Sequence, residues 1–141
     1  MKQLLLVSWL LSLSAILGLP EVKADVRMPL IFGNHMVLQQ DTRITIWGWA
    51  DAGENIEVLF AGQKVRTTAN ADGTWQVKLK PVKTKKKGET LTITGKNKLV
   101  YSDVLVGDVW VASGQSNMEW GIKVRKEYAD DIAHSEDSLL R

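Results

Sequence analysis

Ile44-Thr45-Ile46-Trp47-Gly48-Trp49, closed by Ala50-Asp51-Ala52-Gly53, repeats its side-chain character at every second residue and then meets a turn. Successive side chains of a strand point to opposite faces, so this period marks a half-buried strand. Ile56-Glu57-Val58-Leu59-Phe60, Trp75-Gln76-Val77-Lys78-Leu79 and Leu91-Thr92-Ile93-Thr94 repeat the pattern on either side. Turn signals separate them: Asp51-Ala52-Gly53, Ala61-Gly62, Asn70-Ala71-Asp72-Gly73 and Lys87-Gly88. Short strands with closely spaced turns predict a small antiparallel β-sandwich over residues 25–107, not parallel strands joined by helices. Trp47, Trp49 and Trp75 are expected to fill its core or cover its ends; stacking on a sugar ring is the alternative use of such a cluster.

The rest of the composition narrows the possibilities. Of 141 residues, 45% are hydrophobic and 24% charged, close to the soluble globular average, so a packed core is expected and disorder is not. Eighteen basic against 16 acidic residues give a net charge of +2, too balanced to indicate a nucleic-acid or membrane-surface partner. Lys83-Thr84-Lys85-Lys86-Lys87 carries no interleaved aromatic residue and precedes a glycine between two strands, so it is expected at a solvated hairpin tip. The chain has no cysteine, and stability cannot come from disulfides.

Residues 1–24 differ from everything after them. Met1-Lys2 is a positive start, Leu4 to Leu19 is almost wholly apolar or small, and Val22-Lys23-Ala24 offers small residues for cleavage. This is the pattern of a secretory signal peptide removed after Ala24, with a secreted or periplasmic product and no membrane attachment afterwards. A spanning helix needs about 20 apolar residues, and Pro20 and Glu21 end this run sooner.

The pattern changes again at Val104-Leu105-Val106-Gly107-Asp108-Val109-Trp110-Val111-Ala112, which is nearly continuous in apolar residues, as in a parallel-sheet strand buried on both faces. Ser113-Gly114-Gln115-Ser116-Asn117-Met118-Glu119-Trp120 follows directly. A serine where a buried strand breaks into a turn and helix stands at the carboxyl edge of a sheet. Its hydroxyl is then exposed, its backbone N–H faces a developing oxyanion, and the helix adds positive potential. Gly114 is expected to supply backbone freedom for the turn. Ser is equally a favoured helix N-cap, and the residues alone leave both roles open.

The segment Gly114-Gln115-Ser116-Asn117-Met118 after Val109-Trp110-Val111 closely resembles the first motif of the SGNH-type hydrolases in their sialate O-acetylesterase branch. Leu30 to Gln39, Ile46 to Glu54, Asp72-Gly73-Thr74-Trp75 and Asp103 to Trp110 are similar to that family as well. The resemblance implies a serine esterase that removes acetyl groups from sialic-acid hydroxyls through an acyl-enzyme, with no cofactor and no metal. By it Ser116 is the nucleophile and one oxyanion donor. Gln115 and Asn117 shape the turn and are the candidate substrate-binding residues. The family's base, from an Asp-x-x-His motif, and its glycine and asparagine oxyanion donors would lie further along.

Asp131-Ile132-Ala133-His134 has that spacing, but Tyr128, Ala129, Ile132 and Ala133 recur at helical spacing. It is expected to be a solvated helix carrying His134 away from Ser116. His35 is expected to be structural, having no neighbour at metal-ligand spacing. Residues 108–141 thus read as the first strand and helix of a truncated α/β domain, and the chain alone is expected to lack esterase activity, while residues 25–107 fold by themselves. The ligand is expected to be O-acetylated sialic acid or another acetylated sugar. An acetyl esterase for plant polysaccharide fits the same motif, and a non-catalytic carbohydrate-binding β module, with Ser116 only a cap, is the reading from a different class.

Overall fold

A computed structural model describes residues 25–121 and 126–141; the expected leader, residues 1–24, lies outside the described residues. Seven strands run in the order β1 (Val37–Gln39), β2 (Ile44–Trp49), β3 (Asn55–Phe60), β4 (Gln63–Thr68), β5 (Thr74–Leu79), β6 (Lys85–Thr94) and β7 (Lys98–Gly107). They form a five-stranded sheet, β1-β7-β6-β3-β4, and a two-stranded ribbon, β2-β5. The chain is mainly β, as its alternating runs require, and its one α-helix among the described residues is the short Ala129–Ala133.

Alternation places the core. Ile44 and Ile46 of β2 and Trp75, Val77 and Leu79 of β5 turn inward from the ribbon. They meet Ile56, Val58 and Phe60 of β3, Leu91 and Ile93 of β6, and Val104 and Val106 of β7 in one buried cluster. Each such side chain contributes about 1.5–3 kcal/mol by leaving water. Trp75, only 2% exposed, is the largest of them, and its indole N–H has no acceptor among the described residues. Packing of the ring therefore outweighs an unmade hydrogen bond that costs roughly 1–3 kcal/mol.

The turns behave as their residues dictate. Ala61 and Gly62 both adopt positive φ (50° and 75°), the requirement of a tight two-residue hairpin. Gly53 and Gly73 are likewise left-handed. Glu54, buried at 8% exposure, uses its carboxylate as a hub: Oε2 accepts from Asp51 N–H at 3.1 Å and Oε1 from Lys96 N–H at 2.6 Å. This joins the β2–β3 turn to the β6–β7 turn. Gly95 is needed there for space, because a Cβ would stand 2.3 Å from Glu54 Oε1. Asn97 secures the first described residues by exchanging two hydrogen bonds with the Val26 backbone, at 2.8 and 3.0 Å.

Three expectations need correction. The sheet is mixed and not antiparallel throughout, because β1 pairs parallel with β7 through Val37↔Leu105 and Gln39↔Gly107. Lys87-Gly88 is not a turn: Lys85 to Gly88 belong to β6, with Lys85 opposite Val106, although the lysines are solvated as expected. Gly88 is there for close approach, since a Cβ would meet Asp103 Oδ1 at 2.1 Å, where the β6–β7 register slips and Asp103 takes a positive φ of 53°. Finally, Val104 to Ala112 is not one strand. Val104–Val106 are buried inside β7, antiparallel to β6 on one side and parallel to β1 on the other. Residues 108–112 have left the sheet, and Trp110 and Val111 are 88% and 91% exposed.

Glu54→Gln replaces one acceptor oxygen with a donor facing a backbone N–H. It is expected to lower stability by about 1–3 kcal/mol, measured as a lower urea midpoint at unchanged slope.

Candidate functional site

The strand-built unit hands over to the Ser116 segment at a clasp of amide side chains. Gln40 N–H donates to the Gly107 carbonyl at 2.9 Å, one residue past the end of the β1–β7 ladder. Gln39 Oε1 then accepts from Val109 N–H at 2.9 Å, and Gln40 Nε2 donates to Asp108 Oδ1 at 3.1 Å. Gln40 Oε1 also accepts from Thr84 N–H at 3.2 Å, tying in the approach to β6. Two adjacent glutamines thus fix the direction in which the chain leaves the sheet. The sequence showed Gln39 only as part of a matched stretch; the signal for its role was an amide pair at the end of a strand, next to a partner strand that ends just before Asp108.

Beyond the clasp the chain runs exposed to Gly114 and enters a single 3₁₀ turn, Ser116–Glu119. Met118 N–H donates to the Gln115 carbonyl at 2.9 Å. Ser116 is exposed at the first position of this turn, and Gln115 is exposed beside it. Asn117 is the second residue of the turn. The expected setting differs in three respects. No strand of the described residues flanks 108–115, so Ser116 does not stand on a sheet edge here. Among the described residues no full helix follows the turn directly, so helix-dipole support is absent from the described turn. Gly114 serves by lacking a side chain, since a Cβ would sit 2.6 Å from Met118 Cγ; its φ is not in the left-handed region.

The chain's two histidines are both engaged through Nδ1 with partners other than Ser116. His134 follows the helix Ala129–Ala133, and its Nδ1 lies 2.8 Å from the Asp130 carbonyl, which can only accept, so Nδ1 carries the proton. Asp131 and His134 are exposed, as a solvated helix surface requires, and the helix is a little over one turn long. His35 Nδ1 donates to Asp103 Oδ2 at 2.7 Å. Arg141 Nη2 approaches the same oxygen at 2.8 Å and brings Leu139–Arg141 against the five-stranded sheet. The Arg141 contact to His35 itself, 3.3 Å, joins two donors once Nδ1 is protonated, so the carboxylate is what holds both. His35 therefore has a structural partner, as expected, and no local pattern marked Asp103 as that partner. Among the described residues no three His, Cys, Asp or Glu side chains gather closely enough to hold a metal ion.

A groove of about 420 Å³ lies between the sheet and the following segment, lined by Val37, Thr84, Val106, Asp108, Trp110 and Leu140 among others. Val109, Trp110, Val111, Met118, Trp120 and Leu140 expose large apolar surfaces around it and around Ser116. Large apolar side chains exposed together along one segment mark a surface that meets another surface.

No family model matches the sequence. The sialate O-acetylesterase of Rattus norvegicus is 38% identical over 117 residues, which cover 72% of this chain and 21% of that protein. The sialate O-acetylesterase of Homo sapiens is 36% identical over 104 residues, 66% of this chain and 20% of its own length. The crystal structure of a carbohydrate acetylesterase from Xanthomonas citri matches with a TM-score of 0.71 at 35% identity, over 79% of this chain and 26% of that one. Relatives of this kind are carbohydrate esterases. The chain belongs to the sialate O-acetylesterase family, and it spans about a fifth of the length of the family members it matches.

Gln39→Ala removes the acceptor for Val109 N–H. Hydrogen exchange at Val109 is expected to quicken at least tenfold while Val58 and Ile93 in the core keep their protection, as read by NMR. The Asp103 carboxyl is held below the usual carboxylate range first by the His35 hydrogen bond and then by Arg141. A lowered pKa means the contact is intact above the ordinary value of 3.8 and is lost as pH falls through the depressed one. The Arg141 and Leu140 NMR signals should hold steady down to about that value and move toward unstructured positions only below it.

Proposed function

We propose that this chain carries the nucleophile of an acetylesterase acting on acetylated carbohydrates, and that the nucleophile is Ser116. The observation behind the proposal is the Gly114-Gln115-Ser116-Asn117-Met118 turn, which presents an exposed serine hydroxyl in a chain of this esterase family. Ser116 Oγ attacks the acetyl carbonyl and gives its proton to a base; the sugar oxygen leaves with a proton, and water cleaves the acetyl-serine to acetate. Ser116 N–H is one donor to the oxyanion, and Gln115 and Asn117 border the substrate.

The base comes from outside these residues. A serine hydroxyl is a weak nucleophile at its own pKa and needs an adjacent acceptor. The hydrogen bonds of His35 and His134 among the described residues run to Asp103, Arg141 and the Asp130 carbonyl, and none runs to Ser116. The same reasoning assigns the exposed Val109, Trp110, Val111 and Trp120 to the face on which the remaining four-fifths of the enzyme packs. On that packing residues 108–112 become a strand and Ser116 its edge residue. Residues 25–107 form a β domain, 108–141 begin the catalytic one, and residues 1–24 direct the protein to a secreted or periplasmic location. The preferred ester is the O-acetyl group of a sialic acid, on the strength of the rat and human relatives.

In the full-length protein, Ser116→Ala should reduce acetate release from a 9-O-acetylated sialoside and from a nitrophenyl acetate by 10³-fold or more, with little change in KM. The 141-residue chain alone should release none that depends on Ser116. Unchanged turnover in the full-length variant, or Ser116-dependent turnover by the short chain, would overturn the proposal.

A further inference from the structure

The outer face of the β2–β5 ribbon carries something that neither the core nor the esterase reading uses. Because side chains alternate, Trp47 and Trp49 point away from the core, and they remain 41% and 37% exposed. Their rings meet edge to face, with centroids 5.6 Å apart and planes at 75°, and Phe32 packs on Trp47 in the same manner at 6.4 Å and 80°. Aromatic pairs in this geometry hold one another in place. The backbone beneath is fixed too. Arg27 and Trp49 exchange both backbone hydrogen bonds, at 2.8 and 2.9 Å, and Gly48 between the tryptophans lies against the buried Trp75 ring. A Cβ on Gly48 would be 2.2 Å from the Arg27 carbonyl, so the glycine is what lets these layers close up.

The side chains lining the depression beside the tryptophans are polar and uncharged, with the Asp72 carboxylate behind them as an acceptor. Across the ribbon Gln76 is the partner of Trp47 and Thr74 the partner of Trp49. Asn70 Nδ2 donates to Thr74 Oγ1 at 3.0 Å, and the Thr74 hydroxyl donates onward to Asp72 Oδ1 at 2.7 Å, so hydroxyl and amide are oriented. Together they border a depression of about 340 Å³, within the range of small-ligand sites. Rigid aromatic faces beside neutral amide and hydroxyl groups complement a pyranose, which has an apolar face of C–H groups and a rim of hydroxyls. Among the described residues, none after Gln76 lines the depression.

We infer that Trp47 and Trp49 form a sugar-binding subsite, separate from Ser116, that holds a pyranose ring of the carbohydrate chain bearing the acetyl ester. The inference rests on the carbohydrate reading above and adds a second point of attachment to it. Such a subsite raises the local concentration of a long or clustered substrate without touching the reacting atoms.

Isothermal titration of the 141-residue chain with xylohexaose and with sialyllactose separates a neutral polysaccharide source from a sialoside. Binding of either in the millimolar range is expected. It should weaken about tenfold in Trp47→Ala and beyond detection in the double variant with Trp49→Ala, while Ser116→Ala binds as the parent does. Both tryptophans lie outside the core, so the variants should keep the parent's melting temperature; Gln76→Ala, which removes only a rim amide, should also weaken binding. The inference is overturned if neither sugar binds, if binding ignores the tryptophans, or if the face proves to bury itself in a dimer that Trp47→Ala dissolves. The esterase proposal fails on a different observation, retained acetate release from nitrophenyl acetate by the full-length Ser116→Ala protein, which the platform does not affect.

Discussion

One core shared between a five-stranded sheet and a two-stranded ribbon is the constraint on which the rest depends. An isolated two-stranded ribbon is marginal in water, so β2 and β5 hold together because Ile46, Trp75 and Leu79 are buried against Val58, Phe60 and Ile93. That burial fixes which face of each strand looks outward. It therefore sets where Trp47 and Trp49 stand. On the opposite sheet it brings β1 beside β7, and the pair Gln39-Gln40 then governs the exit of the chain at Asp108 and Val109. The β unit is thus both a folded body and the mount from which the Ser116 segment departs.

The strands that could be read from the residues are those with one apolar face. Ile44–Trp49, Ile56–Phe60 and Trp75–Leu79 alternate clearly because their inner positions are large and apolar and their outer ones, Leu59 apart, polar or aromatic. β4 escaped because its inward positions are Gln63, Val65 and Thr67, half-buried at the sheet's edge, and β1 because three residues are too few to display a period. Gly88 misled through chemistry. Glycine marks a turn when the backbone needs a left-handed bend, but here it removes a Cβ from the path of Asp103. The apolar run from Val104 to Ala112 misled because periodicity cannot tell a strand buried in this sheet from the opening of another. The boundary at Gly107 is set by where β1 ends as a partner.

The candidate site was legible in its chemistry and not in its surroundings. Ser116 and its neighbours stand out as a motif, and the helical spacing read from Tyr128 to Ala133 matches the short helix Ala129–Ala133. The supports could not be read. Glu54 as a buried acceptor, Asp103 as the partner of His35 and Arg141, and Gln39 as the restraint on Val109 each join positions 38 or more residues apart. Long-range pairing of this kind leaves no mark on local pattern. The exposed apolar residues around Ser116 are the ground for proposing that further surfaces complete the catalytic geometry.

Covalent labelling tests the central claim without relying on turnover or on knowing the sugar. The full-length protein would be treated with a fluorophosphonate, digested, and the adduct located by mass spectrometry. An activated nucleophile at this position predicts one stoichiometric phosphonyl group on Ser116 and none after heat unfolding. An adduct on a different serine, or an unlabelled Ser116 in a protein that still hydrolyses acetyl esters, would contradict the account.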